Sequence, residues 1–175
     1  HRTDDVEGVP VAVEQKILSG FYGSLPFPLT AAQRRCIDEI MADLDRGTPP
    51  MNRLLQGEVG SGKTVVALAA LLAVAAAGYQ GAIMVPTEVL AEQHFQTVGR
   101  LLAGLARPVQ EDHLISVYLE SLGRPVSVGL LTGSTRRPLK RELTQLAAAG
   151  SLDLLIGTHA LIQSGVELPK LALAV

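Results

Sequence analysis

The residues best suited to chemistry form one short run, Gly57-Glu58-Val59-Gly60-Ser61-Gly62-Lys63-Thr64. It matches the phosphate-loop pattern G-x-x-x-x-G-K-[ST]. The glycines let successive backbone N–H groups turn inward around a phosphate chain. A helix starting near Lys63 would point the positive end of its dipole at the same phosphates. Lys63 would reach the β- and γ-phosphates, and the Thr64 hydroxyl would coordinate Mg²⁺. A chain of this length meets the pattern by chance on the order of 1% of the time. An incidental Gly-rich turn is therefore the weaker explanation.

A second run, Phe27-Pro28-Leu29-Thr30-Ala31-Ala32-Gln33, precedes the loop. Thr30 and Gln33 have the spacing of a capping box, in which each closes a backbone donor of the other. The same glutamine amide, with a donor and an acceptor, could instead recognise an adenine edge. Both roles stay open on the residues alone. Three further turns carry hydroxyls: Pro86-Thr87-Glu88, Leu131-Thr132-Gly133-Ser134 and Gly157-Thr158-His159. Small hydroxyls and N–H groups at helix starts suit contacts to a nucleic-acid phosphate backbone. Any one of them alone is better explained as a helix cap. Three beside a phosphate loop shift the balance.

The elements that must position these residues alternate. Arg53 to Gln56 reads as a short buried strand, Lys63 to Ala77 as a helix closed by Gly78, and Ala82 to Val85 as a second strand. Pro86 and Thr87 open a helix to about Leu105, and Val126 to Leu131 is a third strand. Pro138 to Ala149 is a helix closed by Gly150, Leu152 to Ile156 a fourth strand, and Leu171 to Val175 the start of a fifth. Continuous apolar strands alternating with helices predict an α/β fold with a mostly parallel sheet covered on both faces. Such sheets bind ligands at the carboxyl ends of their strands, where every turn singled out above falls. Before the loop, Thr30 caps a helix that Gly47 and Pro49-Pro50 end. Val11 to Leu18 forms a short helix punctuated by Ser19-Gly20 and Gly23-Ser24. The segment from Arg107 to Arg124 breaks the alternation and reads as an insertion with a small helix of its own.

Composition sets the bounds. The chain has 175 residues, 47% of them apolar and 18% charged, and its 15 Lys+Arg against 17 Asp+Glu give a net charge of −2. That excludes an intrinsically disordered chain and gives one ordinary domain with a real core. Near-neutral charge argues neither for nor against nucleic acid, since a local basic patch can sit on a neutral domain. Aromatics are 3% with no Trp, so base stacking on aromatic platforms is not the main binding mode. A lone cysteine, Cys36, forms no internal disulfide and fits reducing, cytosolic conditions. The longest apolar run, Val65 to Gly78, is too short for a membrane span. The charged start His1-Arg2-Thr3-Asp4-Asp5 is no signal peptide, and the missing initial Met points to a fragment.

Other residues have plainer explanations. His94 is a packing or surface residue, and Cys36 a small core residue. His113, with Glu111 and Asp112, imitates a metal site but is better placed on a solvated face. The basic run Arg136, Arg137, Lys140, Arg141 could touch nucleic acid, although a solvated helix face is the commoner explanation.

Taken together, Leu29-Thr30-x-x-Gln33, Gly57 to Thr64, Pro86-Thr87-Glu88-Val89-Leu90-Ala91-Glu92-Gln93-His94, Leu131-Thr132-Gly133 and Gly157-Thr158-His159-Ala160-Leu161-Ile162-Gln163 carry a family resemblance. From about residue 25 to residue 175 the chain resembles the first motor lobe of the RecG family, branch-migration DNA helicases of superfamily 2. The motor of the transcription-repair coupling factor is similar in two motifs, but usually has Pro-Thr-Thr where this chain has Pro-Thr-Glu.

The resemblance implies a RecA-like lobe that binds ATP and Mg²⁺ and works on forks and four-way junctions. It implies adenine recognition by Gln33, with Phe27 near the base, and phosphate binding by Gly57 through Thr64. It implies DNA-backbone contacts by Thr87, Thr132, Gly133 and Thr158. A wedge domain would precede residue 1 and a second motor lobe would follow residue 175. The sequence departs from the family in three places. The Asp-Glu-x-His motif, expected just after Val175, is absent, so the strand that carries it is incomplete and hydrolysis by the fragment alone should be weak or nil. Glu58 stands where Asp is common, and the 107–124 insertion is unfamiliar. A nucleotide-binding module without DNA work is the alternative.

Overall fold

The computed structural model describes residues 11–25, 28–45, 61–76, 78–120, 122–158, 162, 166–169 and 171–174. Along the chain these form α1 (Val11–Ser24), α2 (Ala31–Asp45), α3 (Ser61–Ala76), β1 (Gln80–Val85), α4 (Glu88–Ala103), β2 (Val109–Gln110), β3 (Leu114–Leu119), β4 (Arg124–Leu131), α5 (Arg137–Ala148), β5 (Leu154–Thr158) and β6 (Leu171–Ala174). The strand expected at Arg53 to Gln56 lies outside the described residues.

The strands make one sheet in the order β2-β3-β4-β5-β1-β6. The pairs β4–β5, β5–β1 and β1–β6 are parallel, whereas β2–β3 and β3–β4 are antiparallel. The mostly parallel sheet expected from the strand–helix alternation is therefore present, with an antiparallel extension at one edge. Strand residues alternate between two cores. Ile83, Val85, Val128, Leu130, Leu154 and Ile156 join the cluster under α1 to α4. Leu131 and Leu155 join the smaller cluster with Leu143 and Ala147 of α5. Helices thus cover both faces, unequally. Gly129 lets α5 approach β4, because a Cβ there would lie 2.7 Å from Leu143 Cδ2.

α3 is buried at every residue from Val65 to Ala75. It packs against α1, α2, α4 and β1, and its alanine-rich sequence combines strong helix propensity with small side chains. It ends as expected at Gly78, whose φ of 85° is left-handed. There the Gly78 and Tyr79 N–H groups donate to Ala75 O and Val74 O, which closes carbonyls of the last turn. Gly150 ends α5 with the same conformation, φ 76°.

Two elements differ from expectation. The segment 107–124 contains β2 and β3 rather than a small helix. Ile115, Val117 and Leu119 alternate with less buried neighbours, which is a period of two, not 3.6. α1 runs through Ser19-Gly20 and Gly23-Ser24 instead of being punctuated there. A helix-interior glycine costs about 1 kcal/mol. Burial of Leu18 (8% exposed) and Phe21 (0%) in the larger core offsets that.

Candidate functional site

α3 begins at Ser61, two residues earlier than the sequence pattern implied, so the backbone of Ser61, Gly62, Lys63 and Thr64 forms its first turn. The first four N–H groups of a helix have no partner within it, and they lie in the phosphate-loop motif. Gly57, Glu58, Val59 and Gly60 lie outside the described residues, as does Phe27.

Thr30 and Gln33 form the capping box. Thr30 N–H donates to Gln33 Oε1 at 2.8 Å, and Gln33 N–H donates to Thr30 Oγ1 at 3.1 Å. The amide of Gln33 is thereby held in one orientation at the start of α2.

The three hydroxyl turns converge because β4, β5 and β1 are parallel neighbours. Val85, the last residue of β1, pairs with Thr158, the last of β5. Leu131, the last of β4, pairs with Gly157. Thr87, Thr132 and Thr158 therefore stand at the carboxyl ends of three adjacent strands. Thr87 caps α4, its hydroxyl accepting from Leu90 N–H at 3.3 Å. Thr132 is buried, at 5% exposed. Its N–H donates to Thr135 Oγ1 at 2.9 Å, and its hydroxyl accepts from Ser134 N–H at 3.2 Å.

Glu88 joins two of the turns. Its Oε1 accepts from Ser134 N–H at 3.0 Å and from Ser134 Oγ at 2.7 Å. Hydrogen bonds from the Ser134 and Thr132 side chains hold its carboxyl below the usual glutamate range. An acid in the first turn of α4 also favours the helix dipole. Gly133, at the tip of the turn, is exposed. From the sequence alone Glu88 has no assignable role. Nothing local shows that its partner lies 46 residues away.

Three polar residues, His113, Arg124 and Asp153, stand otherwise than the sequence suggests or carry no local signal in it. His113 is buried (6% exposed) rather than on a solvated face, and its Nε2 lies 2.7 Å from Glu142 Oε1 on α5. Arg124 forms an ion pair with buried Asp153 at 3.0 Å and donates to Ala75 O at 2.8 Å, the carbonyl one residue from the end of α3. Burial pushes the Asp153 carboxyl up, against the opposing Ser127 N–H and Arg124. Cys36 is half-buried against the larger core, and His94 is half-buried on α4.

A sheet with hydroxyl turns at its carboxyl edge and a helix opening in a phosphate-loop motif defines a class, and comparison gives it a name. The family model for the DEAD/DEAH box helicase matches residues 30–174; the chain belongs to that family. Within it, the chain is similar to proteins named ATP-dependent DNA helicase RecG. It is 45% identical to that of Bacillus subtilis (strain 168) over 172 residues, 98% of this chain and 22% of the relative. It is 46% identical to that of Synechocystis sp. over 160 residues, 91% of this chain and 17% of the relative. A solved structure of RecG bound to a three-way DNA junction superposes with a TM-score of 0.71 at 41% identity, covering 91% of this chain and 19% of the other. The chain spans about a fifth of the length of the curated relatives it matches. Among the described residues, no helix is long and apolar enough to cross a membrane.

Proposed function

We propose that this chain is the first, ATP-binding lobe of an ATP-dependent DNA helicase that remodels branched DNA: stalled forks and four-way junctions in recombination and repair. One observation carries this reading. Thr87, Thr132 and Thr158 share the carboxyl edge of β1, β4 and β5, and Glu88 ties two of their turns into one unit. Exposed Thr87 and Gly133 offer small polar groups to the spaced phosphates of a nucleic-acid backbone, and Thr132, bonded within its own turn, fixes the turn that carries Gly133. In this reading Thr87, Thr132, Gly133 and Thr158 hold DNA.

The donor set at the start of α3 fits a nucleoside triphosphate with Mg²⁺. First-turn N–H groups, a lysine and a threonine hydroxyl come from one short stretch. Gly57, Glu58, Val59, Gly60, Ser61 and Gly62 would wrap the phosphates, Lys63 would neutralise the β- and γ-oxygens, and Thr64 would hold the metal. Bound Mg²⁺ supplies charge neutralisation to the transferred phosphoryl group. Gln33 would recognise adenine with an amide already oriented by Thr30.

The lobe would extend from about residue 25, with residues 1–24 leading in from a wedge domain and a second motor lobe closing on the nucleotide. The acidic motif and arginines that complete hydrolysis would come from outside these residues, so the isolated chain should turn over ATP weakly or not at all. A cytoplasmic location follows from work on chromosomal DNA.

The test is the ATPase rate of the full gene product without DNA and with single strands, linear duplex or a four-way junction. Stimulation greatest with the junction and abolished by Lys63→Ala is expected. A rate indifferent to every DNA would overturn the reading in favour of a nucleotide-binding module.

A further inference from the structure

We propose that one flank of α5, formed by Arg137, Lys140 and Arg141 with Arg136 at its N-cap, is a further contact for the DNA phosphate backbone, separate from the threonine turns. This rests on the DNA-motor reading above.

All four side chains are exposed. At 100° per residue, Arg137, Lys140 and Arg141 fall within roughly 100° of the helix circumference. They form a stripe, not a scatter. The buried residues of the helix, Leu143 and Ala147, border the stripe on its Lys140 side, roughly 60° and 20° round from Lys140, and Arg137 and Arg141 face away from them. Over four residues the stripe rises about 6 Å, enough to meet two successive phosphates of a strand whose charges advance about 3.4 Å along the axis.

The stripe has no counter-charge of its own. Among the described residues, none of the four cations forms an ion pair or a side-chain hydrogen bond. The first turn of α5 contains no acid. The one acid in the helix, Glu142, is 100° further round than Arg141, where His113 Nε2 holds its carboxylate at 2.7 Å. Cations are also unfavourable at a helix N-terminus, where the dipole is already positive. Arg136, at the N-cap, makes no side-chain cap bond. Four uncompensated cations in that place suit an external polyanion. Position selects DNA over other anions, because Arg136 directly follows the Thr132–Thr135 turn that Glu88 fixes to the proposed DNA edge.

The test uses the full gene product and a combined Arg137→Ala, Lys140→Ala and Arg141→Ala variant, with fluorescence anisotropy on labelled duplex and four-way junction across a salt series. Each lost phosphate contact makes the slope of log affinity against log salt shallower by about 0.9. A flattening of about 2 to 3 is expected, with an unchanged Tm. Changing both arginines to lysine, with Lys140 kept, should preserve the slope. A triple variant that keeps the wild-type slope overturns the proposal and leaves the threonine edge as the contact. Wild-type protein with no salt-dependent affinity for any DNA overturns both this proposal and the DNA-motor reading.

Discussion

Ser134 donates both its backbone N–H and its hydroxyl to one oxygen of Glu88, at 3.0 and 2.7 Å. The pair joins the turn after β4 to the helix start after β1, two strands that are not neighbours, because β5 lies between them. The bond therefore bridges the carboxyl edge of the sheet across β5.

Replacing Glu88 with Gln should weaken that bridge. An amide oxygen accepts more weakly than a carboxylate, so DNA affinity should fall while nucleotide binding persists. The pH effect has a definite sign. The Glu88 pKa is lowered from 4.5 by its bonds to Ser134 and Thr132. Its contribution to stability is present above pH 4.5 and is lost as pH falls through the lower folded value. Acid unfolding followed by circular dichroism should be less steep in this range for Glu88→Gln. Identical acid curves for the two proteins would show that the bond contributes nothing.

Gly157→Ala should destabilise the sheet. A Cβ at Gly157 would lie 2.5 Å from Leu131 O and 3.3 Å from Ile162 Cδ1. The carbonyl is backbone within the β4–β5 ladder and cannot rotate away. Overpacking of this kind costs about 1–3 kcal/mol, measurable by urea unfolding. Gly78→Ala tests a different cause: it has open space around it, but φ 85°, so its penalty is conformational. A Gly157→Ala midpoint equal to wild type would mean that the strands part at no cost.

His94 gives a second pH effect. Burial on α4 lowers its pKa from 6.5. Between that folded value and 6.5 the unfolded chain binds more protons than the folded one, so stability rises with pH through this window and is lost as pH falls. Thermal unfolding should give a Tm that drops on acidification below pH 6.5, and His94→Gln should diminish the drop. An undiminished drop in the variant would assign it to another group.

Much of this was legible in the residues because it is governed by local chemistry. The Thr30–Gln33 capping box needs only a spacing of three and two side-chain acceptors. Gly78 and Gly150 were readable as helix ends, since a left-handed residue is cheap only for glycine. The strands β1, β4 and β5 followed from apolar runs bounded by turns. In the segment 107–124 the short alternation of Ile115, Val117 and Leu119 is preceded by Glu111, Asp112 and His113, so its period of two is hard to tell from a helix in the sequence. His113, beside Glu111 and Asp112, reads as a solvated residue for the same reason. Its burial depends on Glu142, 29 residues later, arriving over it on α5.

The sequence by itself determined most of the helices and strands, the glycine-closed ends of α3 and α5, and that a phosphate-loop motif runs into α3. Each of these rests on hydrogen bonds and side-chain preferences within a few residues. Only the tertiary structure decided the strand order, and with it the meeting of Thr87, Thr132 and Thr158 on one edge, the Glu88–Ser134 bridge and the withdrawal of Glu142 from the basic stripe of α5. Strand order is set by long-range burial: β5 is apolar on both faces, with Leu154 and Ile156 turned to one core and Leu155 to the other. A strand buried on both sides belongs inside a sheet. Which strands flank it depends on contacts between residues far apart in the chain, which no local pattern records.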